Sequence, residues 1–113
     1  MSLNLTKATS SPDFSKTLKR SDFNFQSAAV SIKGKCNNLE HPRLGCSIPK
    51  RGTKLASRRN RLKRIIRESF RLKVHQLPFM DVIVLVQKET QDEVLRTDLD
   101  SGFSKLMHLT FET

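Results

Sequence analysis

Eleven basic side chains lie between Lys50 and Lys73, and the only acidic residue among them is Glu68. The formal net charge of the chain is +10, so this window carries all of the excess and the remainder is balanced. Arginine guanidinium groups bind phosphate oxygens bidentately and stay charged, and a dense arginine ridge therefore suits an RNA backbone. The window predicts a binding site for a polyanion. The candidate RNA-binding residues are Lys50, Arg51, Arg59, Asn60, Arg61, Lys63, Arg64, Arg67 and Arg71.

Catalytic chemistry has little support in the sequence. A nuclease that works alone needs paired carboxylates for metal ions, or a histidine and lysine pair around a phosphate. The three histidines are isolated, and the acidic cluster between Asp92 and Asp100 lies where a helix begins. Acidic residues at such a position more often complement the helix dipole than bind metal. We therefore predict no catalytic residue, no metal ligand and no cofactor bound by the protein alone.

The two cysteines and the apolar segments indicate the compartment. Cys36 and Cys46 lack CxxC spacing and alternate toward the core of neighbouring predicted strands, which predicts buried, reduced thiols. The N-terminus has no continuous apolar segment of a secretory signal, and no apolar run approaches a membrane span. We expect a cytoplasmic protein that does not contact membranes.

Local patterns predict one domain over residues 20–113, preceded by a flexible tail over residues 1–19. Ser21 could cap a short helix that continues to Gln26. Alternating apolar residues over 30–36 and 44–48 predict two antiparallel strands, since the segment between them contains residues that favour turns. The apolar run over 82–86 is typical of a central strand covered on both faces.

Two amphipathic helices complete the predicted fold. The first spans about residues 55–73, and the second begins at Asp98 or Ser101 with Leu99 and Phe103 on its apolar stripe. The order α-β-β-α-β-α predicts an α/β two-layer sandwich with a small mixed sheet. On the first helix, the predicted core arc holds Leu62, Ile65, Ile66, Ser69 and Phe70, and the opposite arc holds Asn60, Arg64, Arg67 and Arg71.

The segment from Arg43 to Arg71 resembles the protein component of bacterial ribonuclease P. That family has a strand reading R-x-G, a basic pair, and then A-x-x-R-N-R-x-K-R-x-x-R-E-x-F-R, the RNR motif. The resemblance extends from about Lys19 to Leu109. The matching residues are Arg43, Gly45, Lys50, Arg51, Ala56, Arg59, Asn60, Arg61, Lys63, Arg64, Arg67, Glu68, Phe70 and Arg71.

The resemblance implies a function in transfer RNA processing and a fold similar to a ribosomal-protein domain. In the family, the catalytic site lies in an RNA subunit, where magnesium ions cleave precursor transfer RNA to free the mature 5′ end. The protein binds that RNA, one copy per RNA, and contacts the 5′ leader in a cleft between the first helix and the sheet. The leader residues implied here are Phe23, Ser31, Lys33 and Ser47.

The sequence departs from the family pattern at two places, and alternative interpretations of Phe23 and of the function remain open. A second aromatic residue usual one turn after Phe23 is replaced by Ser27, and the connection before Val30 is short. Phe23 could also pack in the core. A ribosomal-type RNA-binding protein would use the same scaffold without a nuclease role. A major-groove DNA-binding helix is disfavoured, since strands precede the basic helix.

Overall fold

Four strands and two long helices lie within residues 19–37 and 39–109, the part of the chain that the computed structural model describes. Residues 1–18 of the predicted tail lie outside this part. The strands are β1 (Phe23–Gln26), β2 (Val30–Cys36), β3 (Arg43–Ser47) and β4 (Met80–Val86). The helices are α1 (Ala56–Lys73), which continues into a 3₁₀ turn over Val74–Gln76, and α2 (Asp92–Leu109). The structure confirms the α/β two-layer sandwich.

Residues 23–26 form a strand, and the short helix predicted between Ser21 and Gln26 is wrong. Phe23 and Phe25 point toward the core while the residues between and after them are exposed, which is the two-residue period of a strand. β1 pairs antiparallel with β2, with Phe25 opposite Ile32. The Ser21 hydroxyl donates to the Asn24 side-chain oxygen at 3.1 Å, so it caps no helix.

β4 lies between β2 and β3, in the order β1-β2-β4-β3. β4 is antiparallel to β2 and parallel to β3, which makes the sheet mixed. The prediction of a central strand at 82–86 is confirmed, because Val82, Val84 and Val86 are fully buried. The predicted antiparallel pairing of the two preceding strands is wrong. A parallel pair needs a long crossover connection, and α1 supplies it between β3 and β4.

Both helices cover the same face of the sheet. The predicted core arc of α1 is confirmed, since Leu62, Ile66 and Phe70 are fully buried and Ile65 nearly so. The Phe70 ring meets Phe103 of α2 edge to face, with centroids 6.2 Å apart. α2 begins at Asp92, six residues before the earliest predicted start. The extra turns bury Leu95 on the stripe that Leu99, Phe103 and Leu106 continue.

Gly102 allows α2 to approach the sheet closely. A Cβ atom at this position would overlap the Ile32 Cδ1 methyl group and lie 3.0 Å from the Phe25 ring. The absence of a side chain therefore sets the distance between α2 and the β1–β2 hairpin, despite the cost of glycine inside a helix. No helix within the described residues has the length and apolar character needed to cross a membrane.

The prediction of two buried thiols on neighbouring strands is wrong for Cys36 and for the adjacency of the strands, whereas Cys46 packs partly buried against the core. Cys36 is exposed at the end of β2, and Cys46 is half-buried on β3, with β4 between the two strands. Desolvation raises the pKa of the Cys46 thiol to about 11, although Arg67 and Lys63 act in the opposite direction. Cys36 is exposed because it lies at the last position of its strand.

Candidate nucleic-acid interface

The solvent side of α1 carries a row of arginines. Arg64, Arg67 and Arg71 are exposed, as is Asn60 one turn earlier, so the predicted facing of the helix is confirmed. None of these three arginines forms an ion pair or hydrogen bond with another described residue. Three unpaired guanidinium groups on one side of a packed helix are free to bind phosphate oxygens. We call Arg64, Arg67 and Arg71 the arginine row.

Glu68 does not neutralise the arginine row. Its spacing allows pairing with Arg64 and Arg71 on the helix surface. In the structure Glu68 is exposed, and it forms no ion pair within residues 19–37 and 39–109. Lys63 is half-buried at the border of the row, and both Arg67 and Lys63 lie close enough to Cys46 to oppose in part the rise in its pKa that desolvation causes.

The loop before α1 adds three more exposed cations, Lys50, Arg51 and Lys54. The amide groups of Gly52 and Thr53 both donate to the Pro49 carbonyl, at 3.2 and 3.1 Å, which closes a tight turn. Gly52 packs on the chain after β4 so closely that a Cβ atom would overlap a backbone carbonyl oxygen there. The loop is therefore fixed against the β4–α2 connection, with its basic side chains pointing to solvent.

The start of α1 is electropositive. The helix has no acidic residue in its first turn and no side-chain cap, and Leu55 at the cap position is exposed. Its unpaired amide groups and the positive end of the helix dipole add to the charge of the loop.

Three arginines of the basic window are engaged within the protein, and the first two are Arg58 and Arg59. Arg58 donates to Asp92 Oδ1 at 2.6 Å and to the Thr90 carbonyl at 2.5 Å, which ties α1 to the start of α2. Arg59 donates through Nη1 to the carbonyl oxygens of Thr53 and Lys54, at 2.9 and 2.8 Å. Arg58 is thus structural, whereas Arg59 retains part of its guanidinium group for a ligand.

Arg61 is held by the same carboxylate as Arg58. Its Nε donates to Asp92 Oδ2 at 2.5 Å, and its side chain is 59% exposed. The hydrogen bonds from Arg61 and then Arg58 lower the pKa of the Asp92 carboxyl group. Sequence reasoning assigned Asp92 to the helix dipole, and it does lie in the first turn of α2, but it missed this contact.

The sheet face away from the helices brings together three of the four predicted leader residues. Ser31 and Ser47 flank Leu85 in one row across the sheet, and Lys33 lies opposite Ile83 in a neighbouring row. Ser31 is only 6% exposed, while Lys33 and Ser47 are half-buried. The Lys33 ammonium donates to the Asn24 side-chain oxygen at 2.7 Å. We call this surface the open face.

Phe23 is not on the open face. It pairs with Gly34, and both residues point to the side of the sheet that the helices cover. Phe23 is half-buried and packs against the hydrophobic core. The structure therefore separates Phe23 from Ser31, Lys33 and Ser47, because β1 is a strand whose alternation sends the ring inward.

A buried ion pair lies at one end of the open face. Arg43 binds Asp81 bidentately, with contacts of 2.7 and 2.8 Å, and the Asn37 side chain donates to the same carboxylate at 3.0 Å. The bond to Asp81 raises the pKa of Arg43. This pair joins the edge strand β3 to β4, and no local pattern in the sequence indicates it. Within the described residues, no three His, Cys, Asp or Glu side chains converge on a possible metal site.

Comparison with known proteins agrees with this geometry. The family model described as Ribonuclease P matches residues 5–108, which includes much of the predicted tail. The ribonuclease P protein component of Vibrio vulnificus is 47% identical over 78 residues, covering 69% of this chain and 65% of that protein, just under two thirds of its length. The corresponding component of Proteus mirabilis is 50% identical over 78 residues, covering 64% of this chain and 66% of that protein.

Solved structures show the same fold. The RNase P protein of Staphylococcus aureus superposes with a TM-score of 0.72 at 25% identity, covering 83% of this chain and 90% of that one. The RNase P protein from Thermotoga maritima gives a TM-score of 0.70 at 25% identity, covering 82% and 90%. With a family match over most of its length and the same arrangement of strands and helices, the chain belongs to the ribonuclease P family.

Proposed function

We propose that this chain is the RNA-binding protein subunit of ribonuclease P, which assists a catalytic RNA in removing the 5′ leader from precursor transfer RNA. The observation that carries the proposal is the arginine row, three exposed guanidinium groups on α1 without a partner among the described residues. A cytoplasmic location and one protein per RNA go with this proposal.

The geometry of the row suits a folded RNA. At 1.5 Å rise per residue, Arg64 and Arg71 lie about 10 Å apart along the helix axis. The buried contacts of Leu62, Ile66 and Phe70 hold the helix rigidly on the sheet. The packed helix fixes the spacing of the three arginine Cα atoms, so the row favours a surface with clustered phosphates over a straight, unsupported strand.

The chemistry of cleavage is assigned to the RNA in this proposal. Magnesium held by the RNA subunit supplies the activated water or stabilises the leaving oxygen. The described residues of this chain offer no cluster of carboxylate or histidine ligands for such an ion. In this proposal the protein contributes binding and charge compensation.

The open face is the proposed contact for the 5′ leader. Lys33 offers one cation and Ser47 a hydroxyl group on this side of the sheet, whereas Ser31, at 6% exposure, lies beneath them in the same face. Such a mildly basic surface holds a few nucleotides through their phosphates and does not read base edges. Phe23 lies on the other side, so stacking of a leader base on that ring is not required.

A matched pair of variants tests the leader contact. We expect Lys33→Ala to weaken binding of precursor transfer RNA by the assembled enzyme and to leave mature transfer RNA unaffected. Phe23→Ala should lower the melting temperature, because the ring packs against the core. A loss of about 1–3 kcal/mol for precursor only, in a folded Phe23→Ala protein, would instead show that a base stacks on Phe23.

The decisive experiment for the function is cleavage of precursor transfer RNA by a bacterial ribonuclease P RNA at low magnesium, with and without this protein. Addition of the protein should accelerate cleavage, and Arg64→Ala combined with Arg67→Ala should remove most of that effect. Lys73→Ala serves as the control, since the Lys73 ammonium is paired with Asp100 at 3.2 Å. Unchanged cleavage with the wild-type protein would refute the proposed function.

A further inference from the structure

Asp92 shares its carboxylate between two arginines of α1 that end up in different environments. Arg58 uses Nη1 on Asp92 and Nη2 on the Thr90 carbonyl, and its side chain is 25% exposed. Arg61 uses only Nε, on the second carboxylate oxygen, and is 59% exposed. One carboxylate thus anchors a structural arginine and holds a neighbouring arginine that still faces solvent.

The geometry leaves the outer edge of Arg61 open. A guanidinium group has five N–H donors in one plane, and the Nε contact uses a single one of them. Neither terminal nitrogen of Arg61 has a hydrogen bond to a described residue. The Nε contact restricts the orientation of the group, and the two terminal nitrogens form a fork suited to one phosphate.

We propose that Asp92 is a positioning residue for RNA binding, which orients the free edge of Arg61 toward a phosphate of the RNA. The inference rests on the proposed function. Its physical basis is preorganisation, since a long side chain that is already ordered loses less entropy when it binds. The Asp92 anchor is ionised at neutral pH, as an aspartate ordinarily is, and the hydrogen bonds from Arg61 and Arg58 lower its pKa further.

The proposal predicts an effect opposite in sign to simple electrostatics. Asp92→Asn removes a negative charge beside a polyanion-binding surface, and charge alone would tighten RNA binding. If Asp92 positions Arg61, the same variant should weaken binding by roughly 2- to 10-fold, the penalty for ordering one long side chain. Asp92→Glu, which keeps the carboxylate, should recover part of the loss.

Glu93→Gln is the matched control. Glu93 lies in the same first turn of α2, is exposed, and forms no ion pair within the part of the chain that the structure describes. Its removal changes the net charge by the same amount without touching an arginine. We expect RNA binding by Glu93→Gln to be unchanged or tighter by no more than about fivefold, the upper end for an exposed charge pair.

The experiment measures affinity for a bacterial ribonuclease P RNA with the full-length chain, at fixed salt, together with thermal melting. In the Arg61→Ala background, Asp92→Asn should no longer weaken binding, whereas a merely structural role through Arg58 would persist in that background. Weakening of the same size in both backgrounds, or tighter binding by Asp92→Asn alone, would overturn the proposal. Absence of RNA binding by the wild-type protein would overturn the proposed function with it.

A second pair keeps the test valid if Asp92→Asn unfolds. Arg61→Lys and Arg64→Lys both retain a cation at an exposed position of α1 and leave the Arg58 contact to Asp92 intact. Only Arg61 is oriented by a carboxylate, so Arg61→Lys should lose at least about twofold more affinity than Arg64→Lys. Equal losses in the two variants would show that the anchor has no role in binding.

Discussion

The arginine row and the loop before α1 predict a steep dependence of RNA binding on salt. Cations that contact phosphates release counterions from the RNA, so the logarithm of the association constant falls linearly with the logarithm of salt concentration. The experiment therefore varies the concentration of potassium chloride. The slope of this line gives the number of contacts between basic side chains and phosphates. Six basic side chains of the window are exposed and have no partner among the described residues, namely Lys50, Arg51, Lys54, Arg64, Arg67 and Arg71.

The structure sets the expected size of the slope. If each of these six side chains contacts one phosphate, at about 0.7 per contact for a single-strand-like RNA, the slope is near −4. Affinity should then fall by about 300-fold between 50 and 200 mM salt. Arg58 is excluded from the count because its guanidinium group is engaged by Asp92 and Thr90. Arg61 is counted separately because Asp92 holds its Nε, and a phosphate contact at its free edge would steepen the slope by about 0.7.

Binding isotherms at five salt concentrations, with a bacterial ribonuclease P RNA, give the slope directly. Arg71→Ala should reduce its magnitude by about 0.7. Lys73→Ala, two residues further along the same helix, should leave it unchanged, because Lys73 is half-buried and paired with Asp100. A slope near zero, or the same change for both variants, would refute the assignment of the arginine row as the phosphate-binding surface.

Three further predictions concern stability and reactivity. In denaturant titrations, Leu62→Ala should lower the free energy of unfolding by about 2–5 kcal/mol, and Arg64→Ala should lower it by less than about 0.5 kcal/mol. Equal losses would contradict the described facing of α1. Gly52→Ala should cost about 1–3 kcal/mol in thermal melting, because its Cβ would overlap a backbone carbonyl that cannot move aside, and an unchanged melting temperature would argue against that close approach. A thiol reagent at pH 8 should modify exposed Cys36 quickly and Cys46 slowly, since burial raises the pKa of Cys46 to about 11; equal rates would show that β3 is not covered as described.

The helix faces were predictable from the sequence because their signal is local and long. Leu62, Ile66 and Phe70 repeat with the helical period over an 18-residue helix, and their burial follows from that pattern alone. The exposed arginine row follows from the same period. A four-residue strand gives no comparable signal. Ser21 and Asp22 favour a helix start locally, whereas the pairing of all four residues 23–26 with β2 makes this segment a strand.

The features that the sequence did not reveal depend on contacts between distant segments. Asp92 lies 34 residues from Arg58 and 31 from Arg61, and no spacing rule connects them. The insertion of β4 between β2 and β3 likewise depends on the whole sheet, because adjacent alternating strands favour a hairpin when considered locally. The helical positions of the basic residues could thus be predicted, whereas their division into free, anchored and structural arginines could not.

The position of β4 in the sheet has a consequence for the order of folding during synthesis. Chains are made from the N-terminus, and among the described strands β3 pairs only with β4, which follows α1. When the ribosome has released β3 and α1, the β1–β2 hairpin can form, but β3 still has no strand to bind. The basic helix belongs to the loop that closes when β4 enters the sheet, and closing such a loop costs entropy before its contacts form. The RNA-binding surface therefore acquires its final shape only after most of the chain has been made.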